Sequence, residues 1–189
     1  MRDEKELIAD CIKGKRDAQK ELYHKYSPKM LGVCYRYATT FNSAEDVLQE
    51  GFIKVFKNLS KFKGQGSFEG WIRRIMVNTA LDIIKKYNNY KNEIDIDDYN
   101  EKIDVPDDAL DRLYSEDIVE AIRELPPGYK VVLNLYAVEG YSHKEIGEML
   151  SITESTSRSQ FSRAKVLLAK KLDSNNSIKK KINEKVSSS

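Results

Sequence analysis

Apolar residues recur along most of the chain at the three- and four-residue spacing of amphipathic helices, and no segment alternates as a strand does. The stripe is clearest over residues 43–59, where it includes Val47, Phe52 and Val55. The pattern predicts helical segments at 4–13, 18–26, 31–35, 43–59, 68–87, 110–122, 129–138, 142–150 and 154–172. The chain is therefore predicted to be all-α.

Local signals predict where several of these helices begin or end. Ser43, followed by Asp46 three residues later, is typical of an N-terminal cap. Pro28 is expected to break the second helix because proline lacks a backbone N–H. Residues 63–67 contain two glycines, which are poor helix formers, and are expected to form a loop.

The periodicity is lost over a polar, acidic stretch and near the C-terminus. We therefore predict two small helical domains, 1–90 and 109–173, joined by a flexible acidic linker at 91–108. Residues 174–189 are rich in Ser, Asn and Lys and are predicted to be a disordered tail.

Charge is distributed unevenly along the 189 residues, although the net charge is only +2. Residues 1–90 carry 17 basic and 11 acidic side chains, 91–125 carry 4 and 13, and 126–189 carry 11 and 6. Residues 54–90 alone hold 8 basic and 2 acidic side chains. Two basic blocks around an acidic one indicate polyanion binding, although solvated helix faces would also explain each block singly.

Several classes of protein are excluded by what the sequence lacks. It contains no apolar run long enough to span a membrane, and its charged first ten residues have no signal-peptide core. Two cysteines, Cys11 and Cys34, cannot form a disulfide framework or a four-ligand zinc site, and are expected in the core. His24 and His143 have no ligand partners in the sequence and are expected at the surface. We predict a cytoplasmic protein without metal, cofactor or catalytic site.

The strongest local motif is a pair of short helices near the C-terminus. Ser142 and Glu145 form an S-x-x-E capping box, and a tight turn at Ser151 leads to the next helix. Helices paired in this way are typical of a helix-turn-helix unit, whose second helix enters the major groove of DNA. An ordinary helical hairpin is the alternative. Ser151 stands where a glycine is common, and Ser157 where an apolar residue is frequent.

The second of these helices has two distinct faces. Phe161, Ala164 and Leu168 are predicted to be buried. The opposite face carries arginine, which can contact guanine, and serine, which can contact bases or phosphates. Its candidate DNA-binding residues are Arg158, Ser159, Ser162 and Arg163.

Two further groups of residues lie in the first domain. Aromatic and cationic side chains alternate around the 63–67 loop, a composition suited to stacking unpaired bases, although Trp71 and the phenylalanines would also suit a core. Asp46, Gln49 and Glu50 share one helical face, which Lys54 continues. This face would suit protein binding or solvent; a metal or acid–base role lacks further ligands.

These motifs, in this order, resemble the extracytoplasmic-function group of the bacterial sigma-70 family over about residues 7–172. The resemblance includes a D-x-x-Q-E element at residues 46–50 and an F-x-x-W-I-x-x-I-x-x-N-x-x-x-D pattern at 68–82. Residues 125–168 resemble sigma region 4.

The resemblance implies a dissociable specificity subunit of RNA polymerase that is sometimes held inactive by an anti-sigma factor. Asp46, Gln49, Glu50 and Lys54 would bind the clamp helices of core polymerase, and the C-terminal residues above would read the −35 element. The −10 element would be captured as a single strand by Lys63, Gln65, Ser67, Trp71, Arg74 and Asn78. The alternatives are a helix-turn-helix regulator that does not bind polymerase, a purely protein-binding module, or a helical nuclease using Asp46 and Glu50.

Overall fold

The computed structural model describes residues 3–38, 40–90 and 121–186. All regular secondary structure in these ranges is helical, which confirms the predicted all-α fold. The chain divides into two compact units, Met1–Asp95 and Ile96–Ser189. The predicted linker at 91–108 lies outside the described residues. Within the described ranges, no helix has the length and apolar character needed to cross a membrane.

The first unit is a bundle of four helices around one apolar core. The helices are α1 (Glu4–Ile12), α2 (Arg16–Tyr37), α3 (Phe41–Asn58) and α4 (Phe68–Tyr90), with a 3₁₀ turn at Leu59–Lys61. Helices α2, α3 and α4 pack on one another, and α1 packs on α2. Leu22, Met30, Val55, Ile72 and Met76 are almost completely buried between them.

Helix α2 differs from its prediction because it continues through Pro28. A proline inside a helix removes one hydrogen bond and costs about 3 kcal/mol. Here the buried residues Leu22 and Tyr26 precede Pro28, and Met30 and Val33 follow it, on the same buried side of α2. Burial of this continuous stripe offsets the loss, so the predicted break at Ser27-Pro28 is wrong.

Helix α3 begins three residues earlier than predicted. Its N-cap is Thr40, whose hydroxyl accepts the backbone N–H of Ser43 at 3.1 Å, while the Ser43 hydroxyl accepts the N–H of Thr40 at 3.0 Å. Ser43 is therefore the third helical residue of a capping box, and its prediction as the N-cap is wrong.

The second unit contains α5 (Pro127–Leu133), a π-helical turn (Asn134–Val138), α6 (His143–Leu150) and α7 (Glu154–Val186). Helices α5 and α6 both pack on α7. Val132, Leu133, Leu135, Ile146 and Ala164 are fully buried and form the centre of this core.

Helix α7 continues beyond the predicted boundary at residue 173 and ends at Val186. This differs from the disordered tail predicted from residue 174. Residues 174–186 contain neither glycine nor proline, so nothing in the local sequence stops the helix.

Candidate functional site

The candidate protein-binding residues lie on α3, on the side away from its buried stripe. Asp46 and Gln49 are exposed, and Glu50 and Lys54 are half-buried. Ala44, Val47, Leu48, Phe52 and Val55 pack into the core and fix the rotation of α3. The structure therefore brings the four predicted residues together on one surface, which we call the α3 face.

Ile53 belongs to the same surface and was missed by the sequence analysis. It follows Asp46 by seven residues and Gln49 by four, so all three point to the same side of α3. Its side chain is 53% exposed. The signal was an isoleucine outside the apolar stripe, between polar positions, and an exposed apolar residue among polar ones is typical of an interaction surface.

Lys54 connects the α3 face to α4. Its Nζ lies 3.0 Å from Asp82 Oδ2 on α4 and 3.5 Å from Glu50 Oε1. The side chain of Lys54 is about one-third exposed and that of Asp82 is more than half exposed. Such pairs contribute at most about 1 kcal/mol, so Lys54 can exchange Asp82 for another carboxylate at low cost.

The predicted aromatic surface is built around Trp71 at the start of α4. The Trp71 ring stacks on Phe68, with centroids 5.6 Å apart and planes 16° apart, and it lies 5.6 Å from the ring of Phe62. Phe68 is buried and Trp71 is half-buried. The indole therefore packs on one side and remains partly accessible on the other.

The loop before α4 presents its polar residues to solvent. Lys63, Gln65 and Ser67 are all exposed, and the glycines between them have φ values of +72° and +81°, which side-chain-bearing residues rarely adopt. Ser67 also caps α4, because its hydroxyl accepts the backbone N–H of Gly70 at 3.0 Å. The loop and α4 are thus joined rigidly at Ser67.

Arg74 and Asn78 extend this surface along α4. They follow Trp71 by three and seven residues, and both are exposed. These spacings place all three side chains on one side of the helix. Three of the six residues predicted to bind single-stranded DNA therefore share one side of α4, and the other three are exposed in the loop that leads directly into this helix; we call the six together the strip.

Helix α1 supports the aromatic surface from behind. The Tyr26 hydroxyl on α2 donates to Glu4 Oε2 on α1, and the Tyr26 ring meets Phe68 edge-on at 5.5 Å. Burial, followed by the bond to Glu4, raises the pKa of Tyr26. Lys29 on α2 bonds Glu69 on α4 at 2.9 Å. Tyr26 therefore holds Phe68 in place, and Phe68 in turn supports the stacked ring of Trp71.

In the second unit, the capping box predicted for α6 is confirmed. Glu145 Oε2 accepts the Ser142 N–H at 2.8 Å, and these hydrogen bonds lower the pKa of Glu145. The turn to α7 places Ser151 in the left-handed conformation, with φ +60° and ψ +40°. A Cβ on Gly147 would lie 2.9 Å from the carbonyl oxygen of Ile152, so the turn requires glycine there.

The exposed side of α7 carries the predicted DNA-binding residues. Arg158, Ser159 and Ser162 are exposed and Arg163 is half-buried, while the predicted burial of Phe161, Ala164 and Leu168 is confirmed. Arg158 Nη2 lies 2.5 Å from Glu154 Oε1, and the Ser159 hydroxyl donates to the carbonyl of Thr156 at 2.9 Å. Local bonds therefore already orient two of these side chains.

His143 is buried, so its predicted surface position is wrong; His24 is exposed as predicted. The Nδ1 atom of His143 lies 2.9 Å from the Oγ of Ser157, which has no exposed surface. The His143 ring stacks on Tyr136 at 4.3 Å. Burial lowers the pKa of His143, as does Arg158, while Glu154 opposes the change.

The acidic residues of the described ranges do not gather into a metal site. No group of three or more His, Cys, Asp or Glu side chains there is arranged to hold a metal ion. The described surfaces present an α3 face with one exposed isoleucine, an aromatic and cationic surface at the start of α4, and a helix bearing arginine and serine.

Comparison with known proteins matches both units. Residues 22–90 match Sigma-70 region 2, and residues 115–168 match Sigma-70, region 4. The ECF RNA polymerase sigma factor SigW of Bacillus subtilis is 31% identical over 179 residues, which make up 89% of this chain and 96% of that protein. SigE of Mycolicibacterium smegmatis, another ECF RNA polymerase sigma factor, is 30% identical over 150 residues; they cover 77% of this chain and 58% of SigE.

Among solved structures, the fold resembles that of the sigma factor RpoE, co-crystallised with the anti-sigma factor NepR from Bartonella quintana. The TM-score is 0.51 at 18% identity, over 82% of this chain and 96% of that one. This likeness concerns the fold alone.

Proposed function

Because the chain belongs to the extracytoplasmic-function group of the sigma-70 family, we propose that its surfaces divide the tasks of promoter-directed transcription initiation. Sigma factors bind core RNA polymerase and direct it to promoters. The observation that carries the proposal is the order of the two matches: region 2 falls in the first compact unit and region 4 in the second.

The first assignment is that the α3 face binds the clamp helices of core polymerase. Asp46 and Gln49 are free of the core and Ile53 offers an apolar contact beside them. Glu50 and Lys54 complete the surface, with Lys54 exchanging its bond to Asp82 for one to polymerase. A core of one apolar residue within a polar rim is the usual anatomy of a protein interface.

The second assignment is that the strip from Lys63 to Asn78 captures the −10 element as a single strand. Unpaired bases stack on aromatic faces while cations follow the phosphates. Trp71 supplies the accessible aromatic face, Arg74 the cation, and Gln65 and Asn78 polar groups that can bond base edges. Lys63 and Ser67 complete the strip.

The third assignment is that α7 reads the −35 element as a duplex. Arg158 and Arg163 supply the guanidinium groups, and Ser159 and Ser162 supply hydroxyls between them. Arginine forks to guanine O6 and N7 in the major groove, and serine contacts bases or phosphates. The turn that requires glycine at position 147 sets the angle at which α7 leaves α6.

Three further properties follow from this proposal. The chain acts in the cytoplasm, where core polymerase and promoter DNA are found. It has no reaction of its own, since sigma factors act by binding. It is also a candidate for inhibition by an anti-sigma factor, which the Bartonella structure contains for its own sigma factor.

Run-off transcription with core polymerase on genomic fragments tests the proposal directly. The chain is expected to give discrete transcripts, and the double variant Asp46→Arg, Glu50→Arg is expected to lose them along with core binding. Because both positions lie outside the core, the free energy of unfolding of the variant should be within about 0.5 kcal/mol of that of the parent. A helix-turn-helix regulator would bind DNA fragments but give no transcripts and no core complex.

The division between the two DNA surfaces requires separate variants. Arg158→Ala is expected to weaken binding to a −35 duplex by about 1–3 kcal/mol, where the lost contact is to a base. Asn78→Ala should spare duplex binding and impair opening, measured as permanganate reactivity near −10. If both variants gave the same defect on duplex and pre-opened templates, the division would be wrong.

A further inference from the structure

A buried polar pair joins the two helices of the helix-turn-helix unit. His143 is the first residue of α6 and Ser157 lies in the first turns of α7, and their Nδ1 and Oγ atoms are 2.9 Å apart. Ser157 has no exposed surface and His143 only 8%. Ser157 directly precedes Arg158 in the sequence, and its side chain points into the core, away from the exposed side of α7 that carries the proposed DNA contacts.

Neither member of the pair suits this position without the other. A buried hydroxyl or imidazole nitrogen without a partner loses its hydrogen bonds to water and gains none in return. The position of Ser157 is frequently apolar in helix-turn-helix units, where no such partner is required. Here the Ser157 hydroxyl is satisfied by His143, so the two residues depend on each other.

Aromatic rings fix the direction of the His143 nitrogen. The Tyr136 ring stacks on the imidazole at 4.3 Å with planes 12° apart, and Phe161 meets it at 5.6 Å and 60°. The imidazole is therefore held between the π-helical turn and α7, with Nδ1 directed at Ser157. A hydrogen bond from a fixed ring restrains the rotation of α7 about its own axis.

We propose that His143 is a positioning residue for −35 recognition, which acts through Ser157 by fixing the rotation of the reading helix. Successive residues of an α-helix are 100° apart, so the orientation of Ser157 also determines that of Arg158, Ser159 and Ser162. The inference rests on the proposed assignment of α7 as the −35 reader.

The surroundings of His143 favour its neutral form. The positive charge of Arg158 on α7 disfavours the imidazolium, the negative charge of Glu154 on the same helix favours it, and Tyr136 covers the ring from the π-helical turn. Burial dominates, so the pKa lies below its ordinary value of 6.5. Because this pKa is depressed in the folded state, the contribution of neutral His143 to the free energy of unfolding is fully present above pH 6.5. That contribution is lost as the pH falls through the folded-state pKa.

A double-mutant cycle tests the dependence of the two residues on each other. The full chain carries His143→Phe, Ser157→Ala or both changes, and phenylalanine keeps an aromatic ring at position 143. The affinity of each variant is measured for a −35 duplex from a promoter identified by run-off transcription and for a scrambled duplex. Each single change should lower the ratio of specific to scrambled affinity about five- to tenfold, because it leaves one buried polar group unpaired. The double variant should lose no more than either single variant, because both changes remove the same hydrogen bond.

Histidine NMR gives a readout that does not involve DNA. The chain has only two histidines, so the His143 signal can be assigned by its loss in His143→Phe. The pKa of His143 should lie below its ordinary value of 6.5, and Ser157→Ala should shift the His143 titration. Additive losses in the cycle, or a His143 titration indifferent to Ser157→Ala, would overturn the proposal.

Arg158→Ala separates this inference from the function on which it rests. If this variant binds the −35 duplex as the parent does, α7 is not the reader and both proposals fail. If Arg158→Ala weakens specific binding but the cycle shows no coupling, only the role of His143 fails.

Discussion

Ile53 provides a sharp test of the α3 face because the same unit contains a matched control. Ile53 on α3 is 53% exposed and Ile12 on α1 is 51% exposed. The two residues have the same chemistry and the same accessibility, but only Ile53 lies among the proposed polymerase-binding residues. We therefore compare Ile53→Ala with Ile12→Ala.

The expected size of the effect depends on the exposed fraction. Complete burial of an isoleucine side chain contributes about 1.5–3 kcal/mol. Polymerase can cover only the 53% of Ile53 that remains exposed, and alanine keeps the Cβ methyl. The change should therefore weaken core binding by about 1 kcal/mol, or about fivefold in Kd. The free energy of unfolding of both variants should be within about 0.5 kcal/mol of that of the parent, since alanine also favours helix.

Competition for core polymerase against a fluorescent parent chain measures the two affinities under identical conditions. Ile53→Ala should compete about five times more weakly than the parent, and Ile12→Ala should compete equally well. Equal competition by the two variants, with urea unfolding unchanged for both, would refute the assignment of the α3 face.

Four other outcomes can be measured on the free protein. Ser151→Gly should raise the free energy of urea unfolding by about 0.5–1 kcal/mol, because glycine removes left-handed strain. Gly51→Ala should lower it by about 1–2 kcal/mol, since its Cβ would collide with buried Met76, whereas Gly32→Ala, which meets nothing within 4 Å, should raise it. Burial raises the pKa of Cys34 to about 12, so its thiol should react with Ellman's reagent only after unfolding.

Helical periodicity alone determines the features that the sequence predicted best. The buried stripe of α3 and the buried side of α7 were both identified because apolar residues at helical spacing have one stable arrangement, against a core. The capping box at Ser142 and Glu145 was also found, since both partners lie within four residues. Once those helices are fixed, the exposed sides that carry the proposed contacts are fixed as well.

The errors arose where a distant partner decides the outcome. The helix continues through Pro28 because α3 and α4 pack on the apolar stripe around it. The buried His143 bonds Ser157, which lies fourteen residues further along the chain. Neither partner can be located from local pattern. Ile53 was missed for another reason: periodicity separates buried from exposed positions, but it does not distinguish an exposed residue that binds a partner from one that only meets water.

Two of the proposed contact residues are held by exposed ion pairs, which bears on how the protein works. Lys54 is bonded to Asp82 and Arg158 to Glu154, in pairs whose members retain much of their exposure. Exposed ion pairs contribute at most about 1 kcal/mol each, so they hold the side chains in place and release them at little cost. The free energy of binding polymerase and DNA must then come from the new contacts themselves. These side chains therefore need little rearrangement of the free protein in order to make those contacts.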